Sequence, residues 1–418
     1  MASGHQVRID ALAFGGAGVG RLPSGKVVLV DRGAPGDLVT INIVTEKRSL
    51  VLVTVDEVLE PAPCRVVPAC PSAGRCGGCG WMHIGIDDQR AWKHRLLERE
   101  LDRAGLLTGD ARLEPTVCGA SFGSRIRARL HRGGTVLGTL GRRSHDVVPF
   151  TGCPALAPDL ADACGSLAEL ASDLPPDTAE VELSVDARGQ KGLAVRLDTG
   201  THADGWLGVA TDLGCAAVLV EGPGGSVVHA PEALLEEDSA GVPVVTAPGL
   251  FVQSDRAMNA RMIAVVMEFV EARPDATFVE VYAGVGNFTV HLARALHRGV
   301  ACEVSRRAIP LLRRNVAIEG CDVEVRSEDD RRSARALARK LPVDLLLADP
   351  PRDGMKPLRP LFESAPPRSV VLVSCHPMAA VRDMKHLCAT AGYRLERAVP
   401  IDMFPQTPHL ELVAVLTR

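Results

Sequence analysis

Between residue 6 and about residue 60, apolar and polar positions alternate in short runs broken by glycine. Val7-Arg8-Ile9 leads to Gly15-Gly16-Ala17-Gly18, and Lys26-Val27-Val28-Leu29-Val30 to the turn Gly33-Ala34-Pro35-Gly36. Leu38-Val39-Thr40-Ile41-Asn42-Ile43 and Leu50-Val51-Leu52-Val53-Thr54-Val55 follow. β-Branched runs this closely spaced predict a small β-barrel. Pro61-Ala62-Pro63 ends it. From Asp87 to Leu106 the period becomes helical, with Trp92, Leu96, Leu97 and Leu101 on one stripe. The mixed charges Lys93, Arg95, Glu98, Arg99 and Glu100 read as that helix's solvated face.

Residues 113 to 245 mix strands and turns and carry no nucleotide-binding loop. From about residue 246 the elements alternate β then α, as in a doubly wound sheet. Tyr393–Ile401 and Leu410–Leu416 read as a last antiparallel pair, with the loop between them folding over a site. The predicted organisation is α/β: a barrel over 1–60, a central β-rich domain over 61–245 that includes helix 87–106, and a Rossmann-like domain over 246–418.

Composition narrows the class. With 46% hydrophobic residues and no apolar run of membrane-span length, the chain reads as soluble. Its first residues, Met1-Ala2-Ser3-Gly4-His5, lack a basic-then-apolar leader, which points to the cytoplasm. A net charge of −4 excludes a uniformly basic nucleic-acid surface, so any grip on phosphate has to be local. One such patch stands out. Ser124-Arg125-Ile126-Arg127-Ala128-Arg129-Leu130 sets three arginines at period two, with Arg132, Arg142 and Arg143 nearby and no acid among the three.

Twelve cysteines in such a chain favour metal ligation or catalysis over disulfides. Cys70, Cys76 and Cys79 form C-x5-C-x2-C, and Cys153 supplies a fourth thiolate. Four thiolates close a tetrahedral zinc site or hold an iron–sulfur cluster, and spacing does not choose between them. Cys118, Cys164, Cys215, Cys302, Cys321 and Cys388 lack ligand-like spacing and read as small buried hydrophobes.

Phe278-Val279-Glu280-Val281-Tyr282-Ala283-Gly284-Val285-Gly286-Asn287 reads as strand, tight glycine loop and helix start. The next strand ends in Glu303, where a ribose diol is gripped in dinucleotide folds. The pair of features fits S-adenosylmethionine or NAD. Asp349-Pro350-Pro351, after Leu345-Leu346-Leu347-Ala348, favours the former, because it resembles the fourth motif of methyltransferases.

Two segments carry chemistry. Ser374-Cys375-His376-Pro377 closes an apolar strand, and Asp402-Met403-Phe404-Pro405-Gln406-Thr407-Pro408-His409-Leu410-Glu411 comes late in the chain. Carbon-5 of a uracil is too weak a nucleophile to take a methyl group directly. A thiolate adding to carbon-6 makes an enolate that can, and a base must then remove the carbon-5 proton. Cys375 and Glu411 are the candidates, with His409 as rival base.

The late segment resembles, at every position, the signature of the RNA 5-methyluridine methyltransferases. Asp349-Pro350-Pro351-Arg352-Asp353-Gly354 with Ser374-Cys375 is similar to that family's other signature, apart from Val373 in place of a tyrosine and His376 in place of an asparagine. The resemblance implies a class I methyltransferase domain in which Gln253, Tyr282, Asn287, Glu303 and Asp349 bind S-adenosylmethionine, with Asp329 a further candidate at the adenine end. Asp255 stands where relatives carry asparagine.

The resemblance also implies that the barrel is an OB-like TRAM domain that contacts RNA, and that Cys70, Cys76, Cys79 and Cys153 hold a 4Fe–4S cluster. The partner it implies is RNA: ribosomal RNA first, transfer RNA second, with a base flipped out of its stack and the protein acting as a monomer. Two rivals remain at this level. One is a non-catalytic RNA-binding factor with a redox-sensitive cluster; the other is carbon-5 methylation of cytidine.

Overall fold

The computed structural model describes residues 5–48, 50–199, 203–223, 225–229, 234–271, 276–319, 321–327, 343–364 and 366–418. The first five strands are β1 (His5–Leu12), β2 (Gly18–Arg21), β3 (Val27–Asp31), β4 (Leu38–Glu46) and β5 (Leu50–Glu60). They form a closed barrel in the order β1-β2-β3-β5-β4, sealed by pairing of β4 with β1. Strand alternation turns Val7, Ile9, Val28, Val30, Val39, Ile41, Val51 and Val53 inward, none more than 4% exposed.

A single long helix follows, α1 (Ile86–Arg103), and then the two-residue strand β6 (Arg112–Leu113). A seven-stranded sheet comes next. It comprises β7 (Arg127–Gly133), β8 (Val136–Leu140), β9 (Val147–Pro149), β10 (Thr178–Val185), β11 (Lys191–Leu197), β12 (Cys215–Gly222) and β13 (Gly225–His229). Its order is β13-β12-β11-β10-β7-β8-β9. Two helices that the sequence reading lacks pack on it, α2 (Pro158–Glu169) and α3 (Ala203–Asp212). Leu160, Ala163, Cys164 and Leu167 of α2 and Trp206 of α3 share one core with Val181, Leu183, Leu193 and Val195. Both helices are short and rich in alanine and glycine, so their apolar stripes stand out little in the sequence. The hairpin β14 (Leu235–Ser239) and β15 (Val242–Thr246) stands apart from this sheet.

The last part holds α4 (Arg256–Glu271), β16 (Phe278–Val281), α5 (Thr289–Leu296), β17 (Arg298–Glu303), α6 (Ala308–Glu319), β18 (Asp322–Ser327), β19 (Leu345–Ala348) and β20 (Ser369–Ser374). It closes with α7 (Pro377–Ala391), β21 (Arg394–Ile401) and β22 (Glu411–Thr417). The sheet order is β18-β17-β16-β19-β20-β22-β21-β6. Its first five strands run parallel, and β22 is inserted antiparallel between β20 and β21. Every residue of β19 and β20 is buried, as their unbroken apolar runs require of strands covered on both faces.

The strand order reverses beside β16. Val281 pairs with Ala348, so Tyr282 and Asp349 leave the carboxyl edge side by side. That crevice is where open α/β sheets bind ligands.

One grouping changes. Helix α1, assigned from sequence to the central segment, packs on the C-terminal domain: Leu97 and Leu101 share a core with Met384 and Leu387 of α7 and with strands β20 and β22. Strand β6 likewise extends the last sheet by pairing with β21. Periodicity reveals an apolar stripe but not its partner.

Candidate functional site

The cofactor candidates meet at the switch point. Gln253, Tyr282, Asn287 and Asp349 line one cavity, together with Glu237, Ser239, Asn259 and Glu280. Tyr282 has φ +63°, a left-handed conformation that costs a non-glycine residue free energy and that the tight turn after β16 imposes. Asn287 is fixed by a reciprocal amide pair with Asn259, at 2.8 and 3.0 Å, and accepts from the Ser239 hydroxyl at 3.1 Å. Glu303 is not among the residues lining the cavity. Its carboxylate accepts from the backbone N–H groups of Gly284, Val304 and Ser305 at 2.7 to 2.8 Å, which ties β17 to the glycine loop. Asp329 lies outside the described residues.

The sequence reading missed Glu280. It is 1% exposed, accepts from the Thr289 hydroxyl at 2.6 Å, and is pushed up to about 8, by burial first and then by Asp349 and Glu303. A carboxyl in an otherwise apolar parallel strand was its available signal. Desolvation likewise pushes Asp349 up to about 7. Two carboxyls poised to ionise against a cation line this cavity.

The chemical pair lies next door. Ser374 on β20 faces Leu412 on β22, so Cys375, one residue on, comes level with Glu411. Glu411 is 4% exposed and pushed up to about 8, by burial first and then by Asp349. Burial also raises the Cys375 thiol, and the charges of Glu411 and Asp349 add to the shift. Arg352 opposes both shifts, its guanidinium lying beside the thiol and near Glu411. It stands in the motif quoted above, yet its role shows only in three dimensions.

His409 differs. Burial of its ring, with Arg352, Lys93, Arg125 and His376 around it, pushes it down to about 4. Glu411 therefore holds a proton about four units more tightly, roughly 5 kcal/mol, and is the stronger base of the two.

The signature loop is held from α1. Lys93, placed on a solvated face by the sequence reading, is 1% exposed. Its ammonium contacts Asp402 at 2.5 Å and the Phe404 carbonyl at 2.9 Å. Gln89 exchanges hydrogen bonds with Gln406, both at 2.9 Å. The Trp81 N–H donates to the Gln406 carbonyl, and its indole N–H to the Gly16 carbonyl of the barrel, each at 2.9 Å. Gly16 has φ +93°, and a Cβ there would stand 2.8 Å from Pro408. Barrel, helix and loop are thus locked together.

The four candidate ligand cysteines line a second cavity of about 600 Å³, which also touches Pro408 and His409. The loop is docked on β8 by Gly77 N–H to Leu140 O at 2.9 Å, a close approach that a Cβ at Gly77 would crowd. Cys76 Sγ accepts from Thr139 Oγ1 at 3.1 Å and from the Gly78 N–H at 3.3 Å. Among the described residues, no three His, Cys, Asp or Glu side chains gather around one point as a single metal ion requires.

The arginine run changes meaning. Arg127 pairs with Glu182 at 2.5 Å, and Arg129 with Glu182 and Glu180, each at 3.1 Å. The acids come from β10, the strand hydrogen-bonded to β7, which the local sequence does not reveal.

A family model described as tRNA (uracil-5-)-methyltransferase matches residues 245–418. The 23S rRNA (uracil(1939)-C(5))-methyltransferase RlmD of Chromohalobacter salexigens is 31% identical over 438 aligned positions, covering 100% of this chain and 90% of that protein. The protein of the same name from Thiobacillus denitrificans is 31% identical over 436, covering 99% of each. The crystal structure of the Pyrococcus abyssi tRNA (uracil-54, C5)-methyltransferase in complex with S-adenosyl-L-homocysteine has a TM-score of 0.77 at 22% identity, covering 99% of this chain and 100% of that one. At that identity the likeness speaks for the fold.

Proposed function

Since this chain belongs to the RNA uracil-C5 methyltransferase family, we propose that it methylates carbon-5 of a uridine in 23S ribosomal RNA through a covalent bond from Cys375 to carbon-6. The observation that carries the reading is that Cys375, one residue past the end of β20, comes level with Glu411 of β22, beside the cavity that Asp349 lines. S-adenosylmethionine supplies an electrophilic methyl group; Gln253, Tyr282, Asn287, Asp349 and Glu303 are the residues assigned to it, with Glu280 added.

The Cys375 thiolate adds to carbon-6, and the electrons of the 5,6 double bond pass to the carbonyl at carbon-4 as an enolate. Carbon-5 of the enolate would then take the methyl group as the methyl–sulfur bond breaks, its electron pair staying on sulfur as a neutral thioether. Glu411 removes the carbon-5 proton, the double bond re-forms, and the thiolate leaves. Arg352 favours the anionic forms of both side chains. The uridine has to be unstacked for carbon-6 to reach the thiol.

Cys70, Cys76, Cys79 and Cys153 hold a 4Fe–4S cluster in this reading. The support is the one cavity that all four thiols line, together with the four-thiolate requirement of such a cluster. The barrel serves as a TRAM-like RNA contact, and the enzyme works as a monomer in the cytoplasm. Ribosomal RNA is preferred because the full-length relatives quoted above carry that substrate in their names; the likeness to a tRNA enzyme keeps transfer RNA second.

The test is nucleoside mass spectrometry on unmodified ribosomal and transfer RNA incubated with the protein and methyl-labelled S-adenosylmethionine. Labelled 5-methyluridine in 23S RNA is expected. Label only in transfer RNA moves the substrate, label in 5-methylcytidine moves the base, and binding without label leaves the non-catalytic factor.

A further inference from the structure

Arg125 lies on the wall of the four-cysteine cavity, and its Nη2 is buried with no hydrogen-bond partner. An unpaired buried cation is destabilising by several kcal/mol unless an anion meets it. Of the other arginines on that wall, Arg127 and Arg129 pair with Glu182 and Arg142 with Asp31, while Arg143 is exposed to solvent. Among the described residues no ion pair engages Arg125, and no carboxylate lines the cavity. The groups lining it that can carry negative charge are its four thiols, once a metal holds them.

The backbone holds Arg125 where it can meet that charge. Its N–H donates to Ala155 O at 3.0 Å and its carbonyl accepts from Ala157 N–H at 2.8 Å, which bolts it to the segment that starts at Cys153. Its charge reaches both Cys79 and Cys153 and, on the other side, His409 of the signature loop.

We propose that Arg125 is the counter-ion and hydrogen-bond donor to the sulfur-held group in this cavity, a positioning residue that fixes the group's reduction potential and its retention. The inference rests on the reading of the four cysteines as cluster ligands. A cluster on four thiolates is an anion whose charge grows by one on reduction. A guanidinium donating to its sulfur therefore favours the reduced form and raises the potential. It also links the cluster electrostatically to the loop that carries Glu411.

The experiment uses the full chain purified without oxygen, as wild type, Arg125→Met and Arg125→Gln. Iron and sulfide are counted per chain, the midpoint potential is read by redox titration, and iron loss is followed in air. Both variants are expected to show a lower potential and about tenfold faster iron loss, the size usual for an outer-shell partner. A loaded wild type with equal potential and equal iron loss in either folded variant overturns the proposal. Arg125→Gln, neutral but still a donor and close in length, serves if Arg125→Met does not fold. Wild type lacking iron and sulfide, or carrying one zinc, instead overturns the cluster reading beneath it.

Discussion

In the proposed mechanism Cys375 and Glu411 divide the chemistry, so that each substitution has its own signature. Cys375→Ala is expected to lose methyl transfer entirely while keeping its thermal midpoint, checked by label incorporation beside a melting curve. Glu411→Gln is expected to let the thiolate add and the methyl group transfer, then stall. The checking result is an RNA–protein species that survives a denaturing gel, and its absence moves the base to His409 or to water. The wild-type carboxyl near 8 and the raised Cys375 thiol, both needed without their protons, imply that kcat/KM climbs more than tenfold per pH unit from 6 towards 8. The same proton affinity makes Glu411 a liability to the fold. A carboxyl whose affinity is raised on folding is stabilising while protonated and loses that stability as pH climbs through its folded value. Glu411→Gln is therefore expected to melt higher than wild type at pH 8.5 and equally at pH 5. The role of Arg352 is not legible in sequence, and Glu280 is marked there only as a lone carboxyl in an apolar strand, because distant neighbours make both roles.

Helix α1 and the loop between β21 and β22 act as one element. Lys93 and Asp402 are 309 positions apart yet meet at 2.5 Å in a buried pair. Removing one partner strands the other charge, so Lys93→Met is expected to cost roughly 3–5 kcal/mol. Chemical denaturation checks the figure, and Lys93→Met with Asp402→Asn is expected to recover most of it. Element boundaries here were legible: Tyr393–Ile401 and Leu410–Leu416 read as an antiparallel pair from their apolar runs, and they are one. The burial of Lys93 was not, because a lysine among exposed charges at helical spacing carries no local mark of the anion it will meet.

Across the molecule, charge buried at the site sets how stability answers pH. Glu280, Asp349 and Glu411 sit at about 8, 7 and 8, and the histidines His83 and His409 at about 4. Between pH 4.5 and 6.5 the carboxyls lose stability with rising pH while the histidines regain it. Above 6.5 only the loss continues. Three carboxyls against two histidines leave a net loss, so the cofactor-free protein is expected to drift gently down in thermal midpoint to about pH 6.5 and to fall more steeply above it, read by calorimetry up to pH 8.5. Much of this architecture stands in the residue order: an alternating barrel, a glycine loop after a buried strand, an Asp-Pro-Pro turn, and a cysteine and a glutamate at two strand ends. Local periodicity and turn chemistry are enough for those, because each is fixed by residues a few positions apart. Tertiary structure decided the rest. It packed α1 on the last domain, gave Glu182 to Arg127 and Arg129, left Arg125 facing thiols, and turned Glu303 towards backbone N–H groups. Burial and charge environment depend on partners tens to hundreds of residues away, and only the folded chain brings them together.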